Sequence, residues 1–247
     1  MEGYAAFCDD LYFNMNLATQ MDLPTQREQV LYHFEQVRRT FPRMQNFYSR
    51  EPGEFVLEED KEGENYGWTS IETRRINCGI VNPKDYAQAC RLHRFVLEQV
   101  PYTLSISPLD CETLSVVFGF DFLFRGDQNA VLTEALGVVP GFEKLLGIPG
   151  MQILGHDPVI QFSLDDSCRT QCRIACETRT TAYQVRTGDY PEEPLSVYLT
   201  VRRFDSLGGQ EDYAREFSRL AALGKELVDD YLVDQVLRPL QQIIALR

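Results

Sequence analysis

One histidine and two carboxylates are of the residue types that support general acid–base chemistry. His93 lies in an apolar helical stripe with Ala89 and Val96, where a buried imidazole needs hydrogen-bond partners. Leaving such a group unpaired costs about 1–3 kcal/mol, and a carboxylate or a backbone carbonyl across the core would serve as its partner. Asp121 or Glu72 could in that position orient His93 as a general base. The alternative is a hydrogen-bonded core histidine without a catalytic role.

Three arginines on polar strand faces could hold an anion. The guanidinium groups of Arg74, Arg179 and Arg202 can each bind a carboxylate or phosphate through two N–H donors. Aromatic residues on similar strand faces would complete the lining of a small-molecule pocket. The candidate ligand-binding residues are Arg74, Arg179, Arg202, Tyr12, Tyr198 and Trp68. The alternative is a solvated sheet face, in which carboxylates such as Glu72 and Glu177 pair with the arginines.

Cys168, Cys172 and Cys176 are spaced by four residues, which raises the question of a metal site. From Cys172 onward the side chains alternate with period two and include β-branched residues, which indicates a strand. Structural zinc sites combine one closely spaced pair of thiolates with a second pair, and this sequence has no second pair. We therefore expect core thiols and no metal. No phosphate-binding glycine loop occurs, and no cofactor is expected.

The composition excludes several classes of protein. The chain has 247 residues, of which 44% are hydrophobic, and this fraction argues against disorder. Its 37 acidic and 24 basic residues give a net charge of −13, which disfavours broad nucleic-acid binding. No apolar run is long enough to span a membrane. The N-terminal residues lack the pattern of a secretory signal and the cysteine count is odd, so we expect reduced thiols and a cytoplasmic location.

Hydrophobic periodicity predicts the elements that position these residues. The clearest strand is Cys111–Phe124, in which apolar side chains occupy every second position. The other predicted strands are Phe7–Leu17, Met44–Leu57, Tyr66–Ile80, Gln152–Leu164, Arg169–Val185 and Leu195–Phe204. The predicted helices run from a capping box at Thr25 to Pro42, from Asn82-Pro83 to Pro101, from Asp127 to Leu136, and from Gln210 to Arg238, with a short one between Pro140 and Pro149.

These elements follow the order β-α-β-β-α and then β-α-β-β-β-α. The order divides the chain into two similar halves, 1–109 and 110–247, which form either two domains or one continuous domain. Strands joined by hairpins predict antiparallel sheets with helices packed on one face, which is an α+β fold. Helix-grip-like and ferredoxin-like architectures both fit this order.

The function is predicted at the level of its class. We expect non-catalytic binding of a small polar or anionic ligand, or of a protein partner, because polar aromatic strand faces occur without a recognisable catalytic motif. An enzyme that uses His93 as its base is the alternative. A structural homo-oligomer is the third hypothesis, because the C-terminal helix carries Gly224 and apolar residues such as Leu232 on more than one side. No nucleic-acid or membrane partner is expected.

Overall fold

The computed structural model describes residues 1, 3–208 and 212–247, and it is built around one sheet of nine antiparallel strands. The strands are β1 (Asp10–Thr19), β2 (Asn46–Glu51), β3 (Glu54–Glu58), β4 (Tyr66–Ile71), β5 (Arg75–Val81), β6 (Cys111–Arg125), β7 (Val159–Ser163), β8 (Thr170–Glu177) and β9 (Glu192–Phe204). Their order in the sheet is β2-β3-β4-β5-β1-β6-β9-β8-β7. The prediction of an α+β fold with antiparallel pairing is confirmed.

Six α-helices lie within the described residues. They are α1 (Arg27–Thr40), α2 (Tyr86–Thr103), α3 (Gln128–Leu136), α4 (Ala182–Thr187), α5 (Tyr213–Leu227) and α6 (Arg238–Ala245). A π-helical segment, Val228–Leu237, joins α5 to α6. Helix α5 packs on β6 and β9, and α2 packs on β5 and against α5. In the described ranges no helix has both the length and the apolar character needed to cross a membrane.

Period-two alternation gives the central strands a core face and an open face. In β6, the side chains of Leu114, Val116, Phe118 and Phe120 are fully buried beneath the helices. Helix α5 comes close to this strand at Gly224, where a Cβ would lie 2.6 Å from Phe118 Cε2. The other side of the same strands carries polar and aromatic residues, and we call it the open face.

Two segments predicted as single strands are hairpins. The segment 44–57 turns at Pro52-Gly53 between β2 and β3, and Gly53 has a φ of +84° there. The segment 66–80 turns at residues 72–74, between β4 and β5. Proline and glycine interrupt the first segment, because proline lacks an N–H and glycine tolerates positive φ. The second turn is short and contains neither proline nor glycine. Because side chains alternate on both sides of it, the sequence pattern did not predict it.

Two further strands are shorter than predicted. Strand β7 begins at Val159, directly after Pro158, rather than at Gln152. Strand β8 ends at Glu177, and α4 follows it. The hydroxyl of Thr181 accepts a hydrogen bond from the backbone N–H of Gln184, whose side chain in turn accepts from the N–H of Thr181. This capping box starts a helix where period-two alternation predicted continued strand.

Two predicted helix starts are wrong. Helix α1 begins at Arg27 and has no side-chain cap, so the capping box predicted at Thr25 is absent. Helix α2 begins at Tyr86, and the carboxylate of Asp85 accepts hydrogen bonds from two backbone N–H groups of its first turn. Asn82 was predicted for that role, but it has a φ of +48° and its amide binds the start of β1 instead.

Helix α1 ends at Thr40, just before Pro42 as predicted, but two other prolines do not end their helices. Pro101 lies inside α2, which continues to Thr103. Pro239 lies in the first turn of α6, a position where proline is tolerated, and the helix continues to Ala245. The predicted start of the C-terminal helix at Gln210 lies outside the described residues.

Candidate anion-binding site

The open face arranges its side chains in rows, because the antiparallel strands pair in a fixed register. One row crosses four adjacent strands. It contains Asn77 on β5, Asn16 on β1, Ser115 on β6 and Arg202 on β9. These residues are far apart in the sequence, so the order of strands in the sheet brings them together.

A cavity of about 620 Å³ opens at this row. Its lining consists of Asn16, Ala18, Arg74, Arg75, Asn77, Glu112, Thr113, Ser115, Arg202 and Phe204. We call it the arginine cavity, because three of these residues are arginines. Only one of them, Glu112, carries a carboxylate. Its size is that of a site for a small molecule.

The guanidinium of Arg74 is already bound by other groups of the protein. Its Nε donates to Thr19 O at 3.0 Å, and its Nη2 donates to Gln20 O. The carboxylates of Glu112 and Asp22 lie 3.6 Å and 4.0 Å from this guanidinium. Arg74 therefore ties the β4–β5 turn to the end of β1, and its charge is balanced.

Arg75 and Arg202 have no such balance. Within the part of the chain that the structure describes, neither has a carboxylate within 4.0 Å, and the same is true of Arg173 on β8. Arg202 Nε donates to Ser115 Oγ at 2.9 Å, which holds the guanidinium at the cavity. Burial lowers the pKa of Arg202, and the charges of Arg173 and Arg75 lower it further. Positive charge therefore exceeds negative charge in the lining, which contains three arginines and one glutamate.

Arg179 lies at the opposite end of the open face. Its Nη2 donates to Ser196 Oγ at 3.1 Å, and Ser196 pairs across the ladder with Asp121. Asp121 is 8% exposed and accepts a hydrogen bond from Tyr12 Oη at 2.9 Å. Arg202 lies six positions after Ser196 on β9, which at ~3.3 Å per residue is about 20 Å. Arg179 and Arg202 therefore do not form one clamp.

The candidate aromatic residues form the middle of the open face. A Cβ on Gly119 would lie 3.0 Å from Tyr198 Cδ1 and 3.2 Å from Tyr12 Cδ2. A Cβ on Gly79 would lie 2.5 Å from Trp68 Nε1. Burial raises the pKa of Tyr12, with Asp121 as the next cause. These rings pack down onto glycine backbone and lie outside the lining of the arginine cavity.

His93 is held in the core and not on the open face. Its ring lies between those of Phe13 and Phe217, with centroids 5.0 Å and 5.4 Å away. Nε2–H donates to Phe13 O at 3.1 Å, and burial lowers the pKa of His93 to about 3. Asp121 and Glu72 lie on the other side of the sheet, and their hydrogen bonds are to other residues. The structure does not bring these three candidates together.

Arg75 and Asn77 are cavity residues that the sequence candidates omitted. Asn77 Nδ2 donates to Glu72 Oε1 at 2.6 Å, so Glu72 positions the amide at the cavity. Arg75 follows Arg74 directly and begins β5 after the unrecognised turn. Recognition of that turn would have placed Arg75 on the open face by alternation, because residues two apart share a face.

The three clustered cysteines do not come together. Cys172 and Cys176 are buried on the core face of β8, and Cys168 is exposed in the turn before it. Burial raises the pKa of Cys172 to about 11 and that of Cys176 to about 12, which keeps both as thiols. In the described ranges, no group of three His, Cys, Asp or Glu side chains is arranged to hold a metal ion.

The apolar surface of the C-terminal helix is used within the chain. Leu232 and Leu237 are fully buried, and Gly224 contacts Phe118 of the same chain. These contacts account for the burial of Leu232, Leu237 and Gly224 within one chain, and the oligomer contact on this helix stays a prediction.

The arginine cavity offers guanidinium, amide and hydroxyl donors, and its lining contains no histidine or cysteine. This set of groups can bind an anion by charge and by directed hydrogen bonds. A comparison of the chain with protein-family models found no match, and neither did a comparison with the curated proteins.

Proposed function

We propose that this protein binds a small anionic ligand, with a phosphate or carboxylate group, in the arginine cavity and does not transform it. The observation that carries the proposal is that Arg75 and Arg202 share one cavity, where no described carboxylate lies within 4.0 Å of either. Nine of the 20 arginines have no described carboxylate within 4.0 Å, and Arg75 and Arg202 are two of these nine that line the same cavity. An anion between them would relieve their mutual repulsion.

The neutral groups of the cavity fit the same ligand. Ser115 Oγ accepts from Arg202 Nε, so its own O–H remains available as a donor. The amide of Asn16 lies in the same row, whereas Asn77 Nδ2 already donates to Glu72 and to Ser70. Hydrogen bonds to a charged group contribute about 1.5–3 kcal/mol each, and a guanidinium can make two of them to one carboxylate or phosphate.

The far end of the open face favours a small ligand over a nucleic acid. Asp10, Asp121 and Glu177 lie in one row at that end. Carboxylates at this position repel a phosphate chain that would leave the cavity along the sheet. The anionic group is therefore best accommodated at the arginine end.

The residues of the cavity support binding without turnover. Catalysis by nucleophile or general base needs a suitable group within hydrogen-bond reach of the substrate. The one carboxylate of the lining, Glu112, pairs with Arg74 at 3.6 Å. His93 lies in the core on the other side of the sheet.

Calorimetric titration with inorganic phosphate and with citrate tests the proposal. We expect Arg202→Gln and Arg75→Gln each to weaken binding at least about tenfold, which is about 1.4 kcal/mol. Arg179→Gln is the matched control, because Arg179 lies on the same face about 20 Å away. It should leave the affinity unchanged. Equal affinities in all four proteins, or no binding by the wild type, would refute the proposal.

We also propose that 1–109 and 110–247 share one plan and form one continuous helix-grip-like domain. Strands β1 and β6 open the two parts and pair with each other at the centre of the sheet. Each pairs on its other side with the last strand of its own part, β5 or β9. The helices that follow these last strands, α2 and α5, pack against each other.

A cytoplasmic location is part of the same proposal. Its support is that all seven cysteines are free, and that Cys78, Cys111, Cys172 and Cys176 are buried as thiols. Reduced thiols of this kind are typical of the cytoplasm. Titration of protein that is denatured without reductant should find seven reactive thiols.

A further inference from the structure

One region concentrates exposed apolar side chains, and the proposed function does not use it. Of the 19 large hydrophobic side chains that are exposed among the described residues, ten lie between positions 139 and 162. They are Val139, Phe142, Leu145, Leu146, Ile148, Met151, Leu154, Val159, Ile160 and Phe162, and we call them the 139–162 patch. Several of them line a cavity of about 470 Å³.

The patch includes β7, which is an unprotected edge of the sheet. All five residues of β7 are exposed and none is charged. The other edge strand, β2, carries Arg50 and Glu51 and has a register shift between Ser49 and Glu51. Charges and bulges are devices that prevent edge-to-edge pairing. Strand β7 has neither, so its outer edge can accept another strand.

The exposed apolar side chains of the patch leave a large surface for contact. The ten side chains are 44–64% exposed and lie within 24 consecutive positions of the sequence. In β7, alternation places Ile160 and Phe162 on one side of the sheet and Val159 on the other, so a strand added at this edge would contact apolar side chains on both sides.

The charge of the patch favours a second copy of this chain. Glu143, Lys144 and Asp157 are the charged residues in 139–162, so this segment has a net charge of −1. The whole chain has −13, so two copies meet with little repulsion at this region. A basic partner would find few acidic groups here to recognise.

The sequence of β7 is complementary to itself in antiparallel pairing. A two-fold axis at Gln161 places Ile160 opposite Phe162 of the second copy, and Val159 opposite Ser163. The Ile160–Phe162 pairs set apolar against apolar side chains, and no charge faces a like charge. We propose that two copies of the chain pair through β7 and cover the 139–162 patch, which makes a homodimer with one sheet continuous across both subunits.

Light scattering after gel filtration, at roughly 10 µM, tests the dimer. The wild type should have twice the mass of one chain. Phe162→Asp should raise the dimer dissociation constant at least about hundredfold and give monomers. Leu123→Asp is the matched control, because Leu123 is 46% exposed on β6 and Phe162 is 47% exposed on β7. A monomeric wild type, or a control that dissociates equally, would overturn the proposal and leave the patch to a different partner.

A cysteine cross-link tests the register independently. In a Cys168→Ser background, Gln161→Cys should form an intermolecular disulfide on mild oxidation. Facing Cα atoms of an antiparallel pair are about 4.5–5.5 Å apart, which a disulfide spans. Gln171→Cys, one strand further in on β8, should not cross-link. A dimer in which residue 161 fails to cross-link would overturn pairing through β7.

Discussion

At the scale of residues, the candidate site depends on which arginines the chain neutralises. Arg74 has two carboxylates within 4.0 Å, whereas Arg75, the next residue, has none among the described positions. Alternation along the strands could identify Arg202 as a cation on a polar face. It could not show that Arg74 is paired and that Arg75 is not, because those contacts join segments distant in the sequence.

The histidine of the core gives a prediction about acid stability. Burial lowers the pKa of His93 from 6.5 to about 3 in the folded protein, so His93 is neutral there. In the unfolded chain the pKa is about 6.5, so only the unfolded state takes up a proton at mildly acid pH. The contribution to stability is therefore fully present above pH 6.5 and is lost as pH falls from 6.5 towards 3.

We expect His93→Leu to reduce the proton uptake on unfolding by about one proton between about pH 6 and 4. Denaturant midpoints at a series of pH values measure this uptake. His33→Gln should have a similar effect, because burial lowers the pKa of His33 to about 4. An unchanged pH dependence in both variants would contradict the neutral state of these histidines.

At the scale of elements, long amphipathic strands were predictable and short turns were not. Strand β6 was predicted as Cys111–Phe124, and in the structure it extends to Arg125. This strand was predictable because six apolar side chains alternate along it without interruption. The β4–β5 turn at residues 72–74 has no glycine or proline to mark it. Because that turn was not predicted, Arg75 was not placed on the open face. It was therefore absent from the predicted site residues.

The contact of α5 with β6 predicts that Gly224→Ala destabilises the protein, although alanine has a higher helix propensity than glycine. In an exposed helix, replacing glycine by alanine stabilises by about 1 kcal/mol. At Gly224 the new Cβ would lie 2.6 Å from Phe118 Cε2, so we expect destabilisation by about 1–3 kcal/mol in denaturant unfolding. Adding Phe118→Leu should reduce the cost of Gly224→Ala. Stabilisation by Gly224→Ala would contradict the close contact.

At the scale of the whole molecule, strand order makes the site. Arg75 on β5 and Arg202 on β9 line one cavity because β1 and β6 lie side by side between those strands. Several strand orders fit the loop lengths of this chain, so the sequence could predict polar faces but not their neighbours. The predicted ligand-binding residues therefore lie in different places. Arg74 and Arg202 line the cavity, while Arg179 and the aromatic rings lie elsewhere on the open face.

The continuous sheet predicts cooperative unfolding of the entire chain. Strands β1 and β6 pair over nine consecutive positions, Asp10–Ala18, and α2 packs on α5, so the parts 1–109 and 110–247 stabilise each other. We expect one calorimetric transition with equal calorimetric and van't Hoff enthalpies per folding unit. Two separable transitions, one for each part, would show that the parts are independent domains.

Nuclear magnetic resonance of the arginine Nε–H groups during titration with inorganic phosphate tests the central claim most directly. The signals are assigned from the spectra of Arg75→Gln, Arg179→Gln and Arg202→Gln. Because Arg75 and Arg202 line the cavity, their signals should shift together and saturate, while that of Arg179 stays in place. No saturable shift at Arg202, or an equal shift at Arg179, would contradict anion binding in the arginine cavity.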